Sequence, residues 1–125
     1  CMNEYGLDKI HIRDLRARCI LGIFPEEREK PQEITLNITL WADLREAAVS
    51  DSIDDTVDYK QVKQQVLALV ENSTYFLVEK LAQEVADICL CAPRVERVTV
   101  TLDKPGALRF ARSVAVEITR SRTDA

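Results

Sequence analysis

A chain of 125 residues, 46% hydrophobic and 30% charged, is long enough for one globular domain with a real core and too short for two, so residues 1–125 are read as a single domain. The formal net charge of -4 argues against a general nucleic-acid binder, although a local basic cluster can still hold a phosphate. No apolar run approaches the ~20 residues that cross a bilayer and no signal peptide is visible, so no membrane partner is expected and the cytosol is the expected compartment.

The four cysteines do not read as a disulfide framework in a chain this rich in core residues. Cys1 precedes Met2 and reads as a residue foreign to the native chain, at the head of a flexible stretch over residues 1–7. Cys19 falls in a strand pattern. Cys89 and Cys91 fall at the end of a helix pattern, and a C-x-C pair with a single histidine, His11, far away is a poor metal site. Buried free thiols are expected, and no metal.

In chain order, Ile10, Ile12, Leu15, Ala17, Cys19 and Leu21 alternate with a change of phase near Asp14, which predicts one long strand with a bulge. Gly22 to Pro31 carries turn residues at both ends and reads as a loop. From Glu33, Ile34, Leu36, Ile38, Leu40 and Ala42 face one way, and Thr35, Asn37, Thr39 and Trp41 the other: a second strand. After a polar connection, Asp58 is a candidate N-cap for a helix striped with Val62, Val66, Leu69 and Val70. Asn72 to Thr74 ends it. A second helix is predicted from about Tyr75 to Cys91 with Leu77, Leu81, Val85, Ile88 and Cys89 inward. Val95 to Leu102 and Ser113 to Thr119 alternate as two closing strands. The order β-β-α-α-β-β predicts an α+β domain, with a helix pair on one face of an antiparallel sheet. The other face is left uncovered, and a homo-oligomer is expected for that reason.

The densest chemistry lies in residues 102–111, Leu-Asp-Lys-Pro-Gly-Ala-Leu-Arg-Phe-Ala. Val98, Val100 and Leu102 deliver Lys104 to a strand end, where Pro105 and Gly106 stop the ladder. A lysine held at that rim can have its pKa lowered by partial burial and become a usable proton carrier; the plainer alternative is a surface lysine before a turn. Glu27 sits among three acids in the loop after the first strand and reads equally as solvated. Tyr59 begins the first helix, where its ring could simply pack with the hydroxyl in water. Glu79 interrupts the apolar start of the second helix beside Lys80, an arrangement that also suits an ordinary surface position.

Taken together, these segments resemble the dihydroneopterin aldolase family, and more closely its sister branch of dihydroneopterin triphosphate epimerases. The resemblance runs from about Asp8 to Thr119. It is carried by Ile20-Leu21-Gly22-Ile23 with Glu26-Glu27, by Gln32-Glu33-Ile34 with Leu36-Asn37-Ile38-Thr39, and by Asp55-Thr56-Val57-Asp58-Tyr59. Val70-Glu71-Asn72, Leu77-Val78-Glu79-Lys80-Leu81 and Asp103-Lys104-Pro105-Gly106-Ala107-Leu108-Arg109-Phe110-Ala111 complete it. Lys-Pro-Gly-Ala is similar to the bacterial aldolases. Asp103, Ala-Leu-Arg-Phe-Ala with Ser113-Val114, Val-Glu-Asn and Leu15-Arg16-Ala17-Arg18 are similar to the epimerases, and they outnumber the aldolase features.

The resemblance implies the tunnelling fold, in which four subunits close their sheets into a barrel, two rings stack into an octamer, and active sites lie between subunits. It implies a small-molecule pterin substrate gripped by a buried Glu79, with backbone near Val57 and Val78 against the ring and Tyr59 arriving from the neighbouring subunit. Lys104, acting with a water, would move the 2′-hydroxyl proton, while Glu27 orients that water and Tyr59 shuttles a proton. No metal, cofactor or enzyme-bound imine is implied. Arg16, Arg18, Arg109 and Arg112 are candidates for a triphosphate tail, since guanidinium groups match phosphate oxygens; they could equally just solubilise strands. The competing readings are an aldolase that releases glycolaldehyde and a silent fold member that binds a pterin or purine without turnover.

Overall fold

The structure is a computed structural model that describes residues 6–124; Cys1 and the rest of 1–5 lie outside the described residues. Two strands, β1 (Asp8–Cys19) and β2 (Gln32–Ala42), are joined through a short helix α1 (Pro25–Glu29). A second short helix, α2 (Arg45–Ser50), and a 3-10 turn (Ile53–Asp55) lead to α3 (Tyr59–Glu71) and α4 (Val78–Leu90). The strands β3 (Arg97–Pro105) and β4 (Ser113–Ser121) follow. They form one antiparallel sheet in the order β1-β2-β3-β4.

The alternation read from the sequence sets the two faces. Ile34, Leu36, Ile38, Leu40 and Ala42 of β2 and Val98, Val100 and Leu102 of β3 are buried beneath α3 and α4. From the helices, Val62, Val66, Val70, Leu81, Val85 and Cys89 close the core. The opposite face carries Thr35, Asn37, Thr99, Thr101 and Asp103, and among the described residues no helix covers it. The phase change in β1 is a bulge: the register shifts between Ile12 and Leu15, Asp14 takes φ 54°, and its N–H donates to Asn37 Oδ1 at 2.9 Å. Asp58 caps α3 as expected, its carboxylate accepting from the Gln61 N–H at 3.1 Å.

Several expectations are corrected. The Gly22–Pro31 stretch contains α1, and the polar connection contains α2. Neither buries a residue, so neither leaves an apolar stripe in the sequence. The second long helix starts at Val78 rather than Tyr75, and Leu77 is an exposed N-cap rather than a core residue. Among the cysteines, Cys19 and Cys89 are buried free thiols but Cys91 is exposed. Burial pushes the Cys89 thiol up to about 12. Among the described residues, no helix is long and apolar enough to cross a membrane.

Candidate active site

Lys104 lies on the core-facing row of β3, two residues beyond Leu102, and is 9% exposed. Its ammonium donates to Glu27 Oε2 at 2.7 Å across 77 residues of sequence. The partial burial of Lys104 expected from the strand pattern is therefore present, and the loop acid is its partner rather than a solvated charge.

Glu27 is held from three sides. It is the third residue of α1, started by Pro25 at a position where a missing N–H costs nothing. Its Oε1 accepts from the Phe24 N–H at 3.1 Å, so the carboxylate also closes the helix start. Gly22, at φ 131°, lies directly beneath, where any Cβ would collide with the carboxylate. Lys104, with help from the Phe24 and Ile23 amides, holds the Glu27 carboxyl below its ordinary value of 4.5 against the opposing pull of burial. Below the pair, burial pushes the Cys19 thiol up, opposed by the Ser73 hydroxyl and the nearby Lys104 charge.

The register places these groups at one end of the sheet. Cys19 pairs with Gln32 and Asp103 with Thr35, while Trp41 and Arg97 mark the other end. The Gly22 N–H donates to the Tyr75 carbonyl at 3.4 Å, which draws the α3–α4 connection to the Lys104 end. Val78 and Glu79 open α4 three residues later, so Glu79 shares that end of the molecule. The expectation of a buried Glu79 is corrected for the single chain: Glu79 sits in the first turn of α4 and is exposed, while Val78 is half-buried.

Val57 and Tyr59 sit at the far end. Arg94, just before β3, pairs with Asp55 at 3.6 Å and with Glu46 at 3.2 Å, which ties the turn before α3 to the Trp41–Arg97 end. From Tyr59, α3 then runs its 13 residues toward Ser73, a length of about 20 Å at ~1.5 Å per residue. One chain therefore brings together Lys104, Glu27 and the Glu79 turn, and holds Val57 and an exposed Tyr59 roughly a helix length away.

The arginines divide as well. Arg109 stands on the loop that leaves β3 after Lys104, its guanidinium 5.2 Å from the Phe110 ring centroid. Arg18 donates to the Pro31 carbonyl at 3.2 Å. Arg16 and Arg112 line a cleft of about 240 Å³ on the sheet face away from α3 and α4, and Asp14 and Asp103 line it with them. The Oδ1 atom of Asp103 is buried there without a hydrogen-bond partner.

The dihydroneopterin aldolase model, FolB, matches residues 10–119. The chain belongs to the FolB dihydroneopterin aldolase family. It is 41% identical over 119 residues to a dihydroneopterin aldolase of Streptomyces coelicolor, covering 93% of this chain and 99% of that one. To a dihydroneopterin triphosphate 2′-epimerase of Pseudomonas aeruginosa it is 32% identical over 119 residues, covering 95% and 97%. Against the folic acid synthesis protein FOL1 of Dictyostelium discoideum it is 36% identical over 115 residues, which is 92% of this chain and only 18% of that protein. The FolB fold is confirmed by the crystal structure of Escherichia coli dihydroneopterin aldolase in complex with neopterin. That structure superposes with a TM-score of 0.84 at 32% identity, over 91% of this chain and 99% of the other.

Proposed function

We propose that this FolB-family enzyme is a dihydroneopterin triphosphate 2′-epimerase. It opens the C1′–C2′ bond of the substrate side chain by retro-aldol chemistry and recloses it with the 2′ carbon inverted, giving dihydromonapterin triphosphate. The observation that supports retro-aldol chemistry here is the 2.7 Å Lys104–Glu27 pair at the end of the sheet where α4 presents Glu79, and the choice of the epimerase outcome rests on the sequence resemblance around Asp103 and Arg109.

Glu79 offers two acceptor oxygens to the two adjacent N–H donors of the amino-pyrimidinone edge, a planar bidentate fit that fixes the ring. The backbone at Val78, and at Val57 of the partner subunit, flanks it. Lys104 and a water it binds take the proton from the 2′-hydroxyl. The C1′–C2′ electron pair then flows into the C=N bond already present in the reduced ring, leaving an aldehyde and an enamine. Glu27, fixed by Phe24 and Gly22, orients the water and the aldehyde, and Tyr59 of the partner subunit shuttles a proton. If the aldehyde turns over and re-adds, the 2′ carbon inverts. If C1′ is protonated first, the aldehyde leaves.

The same geometry supports the proposed assembly: β1 and β4 are the sheet's edge strands, one face carries no helix among the described residues, and Tyr59 lies roughly a helix length from the Lys104 end of its own chain. In the proposed assembly, four chains close into a barrel and two such rings stack as an octamer, which would supply the missing half-sites. For the triphosphate tail Arg109 has the most support of the four arginines, since the loop that carries it leaves β3 directly after Lys104 and Pro105. Arg18 is second. Arg16 and Arg112 share their cleft with two carboxylates, which oppose an anion, and the sheet separates them from Lys104.

The second reading, an aldolase of folate synthesis, is favoured by Lys-Pro-Gly-Ala and by the 41% identity to the Streptomyces enzyme. Incubation with dihydroneopterin and with its triphosphate, followed by chromatography, separates the two. A 2′-epimer of the triphosphate is the expected product. Net glycolaldehyde release supports the aldolase, and binding without turnover a silent family member.

A further inference from the structure

Arg28 follows Glu27 on α1, and no role for it was visible in the sequence. Its guanidinium reaches out of the short helix and takes three main-chain carbonyls. Nη1 donates to Gly22 O at 2.9 Å and to Tyr75 O at 3.1 Å, and Nη2 donates to Thr74 O at 2.6 Å. Its central carbon also lies 4.2 Å from the centroid of the Phe76 ring. One side chain thus ties three pieces together: the glycine beneath Glu27, the helix that carries Glu27, and the connection that opens into α4 and Glu79.

We propose that Arg28 is a positioning residue, a clamp that fixes the Glu79 turn relative to the Glu27–Lys104 pair. This rests on the reading of Glu79 as the ring anchor and of Glu27–Lys104 as the reacting pair. The planar fork is essential: lysine keeps the charge but is a single point donor and cannot span three carbonyls while stacking on Phe76. Without the clamp the ring anchor and the proton carrier drift relative to each other, and a displacement of about 1 Å costs about 100-fold in rate. The Arg28 guanidinium donates to main-chain carbonyls and the Glu27 shift has its causes in Lys104, Phe24 and Ile23, so the ionisation of the Glu27–Lys104 pair is expected to survive its replacement.

The test uses Arg28→Lys and Arg28→Ala in the full-length protein, with two readouts. Amide hydrogen exchange measures the clamp without any substrate. The Gly22 amide, bonded to Tyr75 O, and the Leu81 amide, bonded to Leu77 O, are expected to lose protection at least about 10-fold while the amides of β2 and β3 keep theirs. Kinetics measures the consequence: kcat/KM for the pterin substrate falls about 10- to 100-fold in both variants, and its pH profile keeps the wild-type shape. Wild-type protection in both variants, a uniform loss across the sheet, or a lysine variant equal to wild type overturns the clamp. Local loss of protection in both variants, when the wild-type protein neither binds nor converts a pterin, leaves the clamp standing and overturns the function it is assigned to serve.

Discussion

Gly22 leaves the space that the Glu27 carboxylate occupies. A Cβ at that position would overlap the carboxylate, and the φ of 131° suits glycine alone. Gly22→Ala is therefore expected to lower stability by about 1–3 kcal/mol through backbone strain. Turnover should fall by about 100-fold, because Glu27 must leave Lys104 to make room. Denaturant midpoints together with kcat/KM check this, and a variant with wild-type turnover would show that Glu27 is free to move.

Lys104→Ala is expected to lower turnover by about 100- to 10,000-fold, the usual worth of a positioned proton carrier. Pterin affinity, measured by fluorescence titration, should change little, since the ring is held elsewhere. Near-normal activity would remove Lys104 from the mechanism.

Glu79→Gln tests the ring anchor. Replacing one acceptor oxygen with a donor costs a charge-assisted pair about 1.5–3 kcal/mol, so affinity for neopterin should weaken by roughly 10- to 100-fold. Calorimetry is the direct check, and undiminished pterin binding would contradict the assignment.

The pH dependence follows from Glu27, whose carboxyl is held below 4.5 chiefly by Lys104. A depressed carboxylate contributes stability that is complete above its unfolded value and lost as pH falls through the folded one. Wild-type protein should therefore be more stable than Glu27→Gln near neutrality, and the gap should close as the solution is acidified below about pH 4.5. Melting temperatures of both proteins across that range supply the test, and a gap independent of pH would mean the pair adds nothing to the fold.

The sheet was legible because a half-buried strand writes its two faces into alternate residues, and the same row that runs Val98, Val100, Leu102 carries Lys104 inward. The Asp14 bulge showed as a slip in that alternation, and the Asp58 cap as a polar residue before a stripe. By contrast, α1 and α2 bury nothing, so their only traces were Pro25 with two following acids and a run of good helix formers. Leu77 misled because helical spacing cannot say whether a side chain is covered by its own chain. The Glu27–Lys104 bond spans 77 residues and no local pattern encodes it; resemblance supplied both residues but not their contact. Arg28 left no signal, since its partners are backbone carbonyls, which every sequence has.

Catalysis by this site requires Glu79 and Lys104 to meet at a single pterin, and a crystal structure of the protein with neopterin measures that directly. The expected result has the Glu79 carboxylate on the amino-pyrimidinone edge, Lys104 Nζ within hydrogen-bonding distance of the 2′-oxygen directly or through one water, and Tyr59 entering from a second chain. A pterin seated in the helix-free cleft beside Arg16 and Asp103, with Lys104 still bonded to Glu27 and out of reach, would contradict it.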